Sequence, residues 1–408
     1  MFFKKSVVWI VCCCFTLASC VTPGTSARVG PQFSSEMVQK AKKQAIIAQT
    51  KLDVIIPVFD PGIPTEADEI KENGIWPELR RAEANRFALK LKEELEKTGQ
   101  FGAVRVTPDA NATGDVYLIG KIVESNGADV EFDLQVYDIT GKQWYAEEYE
   151  HEVPEGFHKN LRNKGKDPYQ PAFKQAADDL VAVLKKTDNS NLALLQNVTE
   201  MRFGAHFSEE AFSEHLKKEG NTYKLVSLPS DDDPMLSRTR SIRIRDQLYV
   251  DNLQSHYEEF NNKMATSYAT WQEQSQVEVL AKREADQAAT TKAVLGVLAI
   301  VAAVGLAAAS GNSGNSGRST AAGAGAVVAG VGGAALLASS FRTSEESKFH
   351  RETLDELGES ININLAPQVV DFENKTKELT GDAAKQFAEW RTFLKEIYLQ
   401  EKTPEKQL

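Results

Sequence analysis

Apolar residues recur along this chain with three different periods. In the first, apolar and polar side chains alternate. Val130, Phe132, Leu134 and Val136 fall on one side and Glu131, Asp133 and Gln135 on the other, the two-residue repeat of a half-buried strand. Strand-like stretches cover Phe101–Val106, Asp115–Glu124, Asp129–Ile139 and Gln143–Glu152, with Gly127-Ala128 and Thr140-Gly141-Lys142 as tight links. A largely apolar run from Leu52 to Phe59 ends at Asp60-Pro61-Gly62 and reads as a buried strand and a turn. The second period is helical. Leu79, Ala82, Phe87, Leu91 and Leu95 mark an amphipathic helix over Pro77–Thr98, with Pro77 suited to the first position and Gly99 to the stop. Phe173, Ala177, Leu180 and Leu184 mark another from Gln170 to Lys186. The order β-α-β-β-β-β-α over residues 50–186 predicts an α+β domain: an antiparallel meander covered on one face by two helices.

The same helical period returns on a longer scale. From Ser241 to Lys292 there is no Pro or Gly, and Leu253, Tyr257, Phe260, Met264, Tyr268 and Trp271 form a heptad-like stripe over 241–292. Residues 342–408 resume it at Leu354, Leu357, Ile361 and Leu365, then Phe372, Leu379, Phe387, Trp390, Leu394 and Ile397. Pro367 predicts a kink, and Gly381-Asp382 a break at which Asp382 caps the final helix. These arms suit either a helical bundle folded against the first domain or an antiparallel stalk. The intervening residues 187–240 read as a connector: helices over Asn191–Phe203 and Ser208–Glu219, the second capped by Ser208, then a short strand over Lys224–Leu228. Ser230-Asp231-Asp232-Asp233-Pro234 lacks the spaced ligands of a calcium loop and reads as solvated.

Residues 293–341, between the arms, are two apolar runs joined by a polar connector. Between Lys292 and Arg342 the single charge is Arg318, in a Gly/Asn/Ser connector. The two flanking runs, each of roughly 18 to 20 residues, are long enough to cross a bilayer as a helical hairpin. Small residues recur four apart at Ala299, Ala303 and Ala307, and at Gly325, Ala329 and Gly333, overlapped by Ala326, Gly330 and Ala334. That spacing lets helix backbones approach closely in lipid. Gly costs about 1 kcal/mol against Ala in a helix exposed to water, so the pattern fits lipid or a packed oligomer better than solution. The arms resemble the glycine-zipper hairpins of bacterial outer-membrane lipoproteins.

Cysteine usage gives a location. Cys12, Cys13, Cys14 and Cys20 are the four cysteines, which leaves the rest of the chain without disulfide or thiol chemistry. Lys4 and Lys5 precede an apolar run from Val7 to Leu17, and Leu17-Ala18-Ser19-Cys20 closes a secretory signal of residues 1–19. This pattern resembles a bacterial lipobox, which implies cleavage before Cys20 and its acylation, palmitate among the chains. Several acyl chains give stable anchoring where one does not. Val21 rather than Asp follows, which by the same resemblance implies the outer membrane and a periplasmic body. Residues 20–49 then read as a Pro/Gly/Ser-rich tether and a short helix.

One further resemblance rests on Gly114-Asp115-Val116-Tyr117, Gly120-Lys121-Ile122 and Asp138-Ile139-Thr140-Gly141-Lys142. These residues resemble the motifs of curli-secretion (CsgG-like) lipoproteins and of the amino-terminal domain of TolB. The last motif is one residue shorter here. The resemblance implies a non-catalytic domain that binds partners or oligomerises.

Charge and chemistry narrow the function classes. The chain has 47 Lys+Arg against 58 Asp+Glu, a net charge of -11 without a basic tract, which argues against nucleic acid. Its six histidines show no HExxH, and there is no GxSxG, Walker or Rossmann signature. Asp129, Asp133 and Asp138 read as solvated. No cofactor, metal or catalytic residue is expected. The resulting expectation is a non-enzymatic lipoprotein of outer-membrane assembly or scaffolding. Its partners would be membrane lipid, through Cys20 and the hairpin, and further copies of itself or an envelope protein. The alternative is a periplasmic adaptor that binds a peptidoglycan synthase or a transport component through the α+β domain.

Overall fold

Continuous burial along the first strand sets the sheet topology. In the computed structural model, which describes residues 51–293, 345–372 and 375–401, β1 (Val54–Pro57) is buried at every position. A strand hidden on both faces is the mark of parallel pairing. β1 lies between β2 (Val104–Thr107) and β3 (Val116–Ser125) and is parallel to both, with Val54 opposite Val104 and Val116. The meander is limited to β3, β4 (Asp129–Asp138) and β5 (Gln143–Glu152). The observed sheet, ordered β2-β1-β3-β4-β5, is therefore mixed. The expected antiparallel meander describes three of its five strands, because the helix between β1 and β2 makes a crossover and a crossover joins parallel neighbours.

A short helix, α1 (Ala67–Glu72), precedes the two helices that cover one face: α2 (Pro77–Thr98) and α3 (Gln170–Lys186). Phe87 and Phe173 meet edge-on at 5.1 Å, and Phe173 stacks on Phe132 of β4 at 5.3 Å. Val130, Phe132, Leu134 and Val136 all point into this core. α2 is more than amphipathic. Its polar side also carries buried residues, Arg80, Glu83, Asn85, Arg86 and Lys92 among them, because further helices cover it.

The connector departs from its expected form. α4 (Asn189–Phe207) is followed by a single helical turn, α5 (Glu209–Phe212), and a hairpin of β6 (Leu216–Glu219) and β7 (Thr222–Leu225). Ser208 is buried and its side chain caps nothing. The cap appears later. Asp233, within the segment read as a solvated loop, accepts hydrogen bonds from the Met235 and Leu236 amides at 2.7 and 3.1 Å. With Pro234 at the first position, it starts α6 (Pro234–Ala293), 60 residues long. At 1.5 Å per residue that is about 90 Å.

The stripe Leu253 to Trp271 is buried against residues 50–186. Of the two arrangements the sequence left open, a bundle against the first domain or a stalk, the structure shows the helix lying along the domain. Each such side chain contributes roughly 1.5–3 kcal/mol when fully buried, which favours folding back. Gln254 docks on edge strand β2, accepting from the Val106 amide and donating to its carbonyl, both at 2.9 Å.

α7 (Glu345–Leu357), the hairpin of β8 (Gln368–Phe372) and β9 (Lys375–Leu379), and α8 (Ala383–Glu401) complete the fold. Phe372 and Leu379 thus sit on strands where a helical stripe was expected. Pro367 bars helix at its start, and Val369-Val370 favour a pleated surface. Asp382 caps α8 through the Lys385 amide at 2.9 Å.

Candidate functional site

The sequence-predicted lipid site, Cys20 with Leu17, Ala18 and Ser19, lies outside the described residues. So do the small residues of the hairpin: Ala299, Ala303, Ala307, Gly325, Ala329, Gly330 and Gly333. Among the described residues no helix is long and apolar enough to cross a membrane. What the structure does describe is where the chain meets those segments.

Helix directions follow from side-chain contacts. Glu83, Arg86 and Lys92 of α2 meet Tyr268, Asn261 and Glu258 of α6 in turn, so α6 runs antiparallel to α2. Trp76, Arg81 and Asn85 donate to Asp355, Gly358 and Ile361 in turn, at 2.8, 2.6 and 2.8 Å, so the chain through α7 runs parallel to α2. α6 and α7 are therefore antiparallel, and Ser267 Oγ meets His350 Nδ1 at 3.0 Å between them. Near its end α6 is fastened to the β3–β4 link and the end of β5: Ser275 donates to the Asn126 carbonyl, and Arg283 pairs with Asp129 and Glu152. Asp129 is thus an ion-pair partner rather than a solvated acid. α6 runs out to Ala293, and α7 begins at Glu345, towards this end of the sheet. The amino-terminal chain arrives at the other: Lys51 bonds to the Gly99 carbonyl and accepts from Gln196, both at 2.9 Å.

A buried polar cluster locks these helices together. Glu83 has no solvent exposure. It accepts from Ser125 Oγ at 2.5 Å and Tyr268 OH at 2.8 Å, with Arg80 Nε 3.6 Å away. Burial raises its pKa above the ordinary carboxylate range, against the pull of Arg80 and the two hydroxyls. Arg86 stacks 4.6 Å over the Tyr268 ring while bonding Asn261 and Asp167, each at 2.5 Å. Tyr169 OH accepts from the Gly127 amide at 2.7 Å. Gly127 has φ +85°, and a Cβ there would lie 2.7 Å from Ser275 Cβ. Glu83 Oε1 takes both hydroxyls, while Oε2 has only the more distant Arg80 and no hydrogen bond. The cluster is enclosed between helices and serves to join them.

The open site lies at the amino-terminal end of the sheet. A cavity of about 840 Å³ is bounded by α4, the β6–β7 hairpin, α8 and the segment before β3. Arg202, Lys218, Arg391 and Lys395 line it, with His206 and one acid, Glu209. Arg202 donates to the Ile139 carbonyl and lies 4.5 Å over the Tyr223 ring, and Lys218 Nζ lies 5.7 Å from the centroid of the same ring. Arg391 donates to the Asn111 carbonyl. Desolvation at the cavity wall, then the positive charges of Arg391 and Lys395, lower the His206 pKa below its ordinary value. Beside this cavity a smaller one, of about 300 Å³, is bordered by Asp53, Asp115, Glu200 and Arg243. Asp115 is raised by burial although it accepts from Thr199 Oγ at 2.5 Å. Among the described residues no group of three or more acids or histidines is placed to hold a metal ion.

The motif Asp138-Ile139-Thr140-Gly141-Lys142 builds the β4–β5 turn. Asp138 is buried, contrary to its solvated reading, accepting from the Thr140 amide and from Trp144 Nε1, both at 2.9 Å. Sequence reasoning missed the cationic cavity because its lining comes from four separate stretches, none of them a basic tract. No protein family, curated protein or solved structure matches this chain.

Proposed function

We propose that this protein is a non-enzymatic cell-envelope lipoprotein that acts as a scaffold in outer-membrane assembly. In this reading Cys20 carries the acyl anchor, residues 50–186 with their helical cover form a periplasmic body, and residues 293–341 enter the outer membrane as a hairpin. Copies associate there through the faces of Ala299, Ala303 and Ala307 and of Gly325, Ala329, Gly330 and Gly333.

The observation that supports it most is the antiparallel pairing of α6 and α7. Their contacts bring Ala293 and Glu345, the described residues on either side of 294–344, towards one end of the body, which is compatible with an element that enters and leaves one membrane. Lys282, Arg283, Lys292, Arg342 and Lys348 flank that base against Arg318 at the tip. Insertion into the inner membrane from the periplasm would oppose the positive-inside tendency, so the outer membrane is the better fit. A carbonate wash after Cys20→Ser tests the reading. The unlipidated protein is expected to stay with the membrane pellet; complete release would refute an integral hairpin. Crosslinked oligomers should fall in the Gly330→Leu variant while membrane retention persists.

A further inference from the structure

Across an acidic protein, cations are mostly neutralised locally: Arg86 by Asp167, Arg105 by Asp251, Arg240 by Glu200, Arg283 by Asp129. The four cations of the 840 Å³ cavity are different. Arg202 and Arg391 use carbonyl oxygens and ring faces as partners, and neither these two nor Lys218 and Lys395 has a carboxylate at ion-pair distance among the described residues. Each carbonyl takes one N–H of a guanidinium that offers five in a fixed fork. The fork is therefore held in place with donors to spare. Tyr117 closes the inner wall, its hydroxyl accepting from the Gly114 amide and donating to the Ala112 carbonyl. The space suits a small molecule rather than a single ion.

We propose that this cavity binds a phosphate ester. Two anchored guanidiniums match the paired oxygens of a phosphate, and two ammonium groups without a carboxylate partner supply the remaining charge for a dianion. A monocarboxylate would leave most of that charge uncompensated. The site lies at the opposite end of the sheet from Arg283 and does not depend on the membrane reading. The phosphate could come from a soluble sugar or glycerol phosphate or from a phospholipid headgroup, and the test distinguishes these.

The full chain is held in dodecyl maltoside micelles, which carry no phosphate, and titrated calorimetrically with glycerol 3-phosphate. Saturable binding is expected, with glycerol inert and succinate much weaker. Lys218→Glu combined with Lys395→Glu should weaken binding at least about tenfold. Both side chains are exposed, so an unchanged melting transition will show that the fold is intact. Phosphatidylglycerol added to the micelles should displace the probe if the natural ligand is a headgroup and leave it bound if the ligand is soluble. Absence of binding by the unsubstituted protein, equal binding of succinate, or full affinity in the folded double variant would overturn the proposal.

Discussion

Glu83 shows how much one buried carboxylate can be asked to organise. Three elements reach it: α2 supplies it, Ser125 comes from β3 and Tyr268 from α6. Truncation by Glu83→Ala leaves two hydroxyls without an acceptor and should cost about 3 kcal/mol, read from urea unfolding. Glu83→Gln keeps an acceptor and removes the charge, so it should cost far less. The pH dependence separates them further. Because the folded carboxyl is raised above its unfolded value, the folded state holds its proton longer. Stability should then fall as pH rises from the ordinary carboxylate range through the folded value, and that slope should flatten in Glu83→Gln. Gly127→Ala meets both a positive φ and Ser275, and should destabilise by about 2 kcal/mol or more in the same assay. None of this was legible in the sequence. A Glu on a helix looks the same whether water or a second helix faces it, and Asp138 and Asp129 were misread as solvated for the same reason.

At the scale of elements, local periodicity carried much further than topology did. The bounds of α2, α3 and β5 coincide with their sequence patterns, since Pro77, Gly99 and the turn residues Thr140-Gly141-Lys142 before β5 are short-range signals. Parallel pairing of β1 is a long-range choice, visible in the sequence only as a run too apolar for a one-faced strand. The β8–β9 hairpin was hidden because its apolar residues happen to fall at helical spacings. Gln254 on α6 illustrates what such docking does for an element: it occupies the open backbone of edge strand β2, which would otherwise be free to pair with another chain. Gln254→Ala should cost about 1–2 kcal/mol. Amide hydrogen exchange at Val106 should speed up at least as strongly as global unfolding predicts, while exchange in β4 follows the global change alone.

For the whole molecule, the stripe of α6 was legible as apolar but its partner was not, because a heptad-like repeat serves a stalk and a docked helix equally well. The outcome fixes the polarity of the body. The chain comes in at Lys51, beside the start of β1, and α6 departs past Arg283 at the far ends of β3, β4 and β5. Ten-residue strands separate these points by about 33 Å. A pull between residue 51 and residue 293 would therefore run nearly along the strand axes. β1, bonded on both sides, would have to slide past two neighbours at once, breaking its ladders in shear instead of unzipping them one bond at a time. Under load the body should behave as a stiff link, and single-molecule stretching from these two points should need a higher force than stretching across the strands from residue 51 to residue 143, which lies at the same end of the sheet.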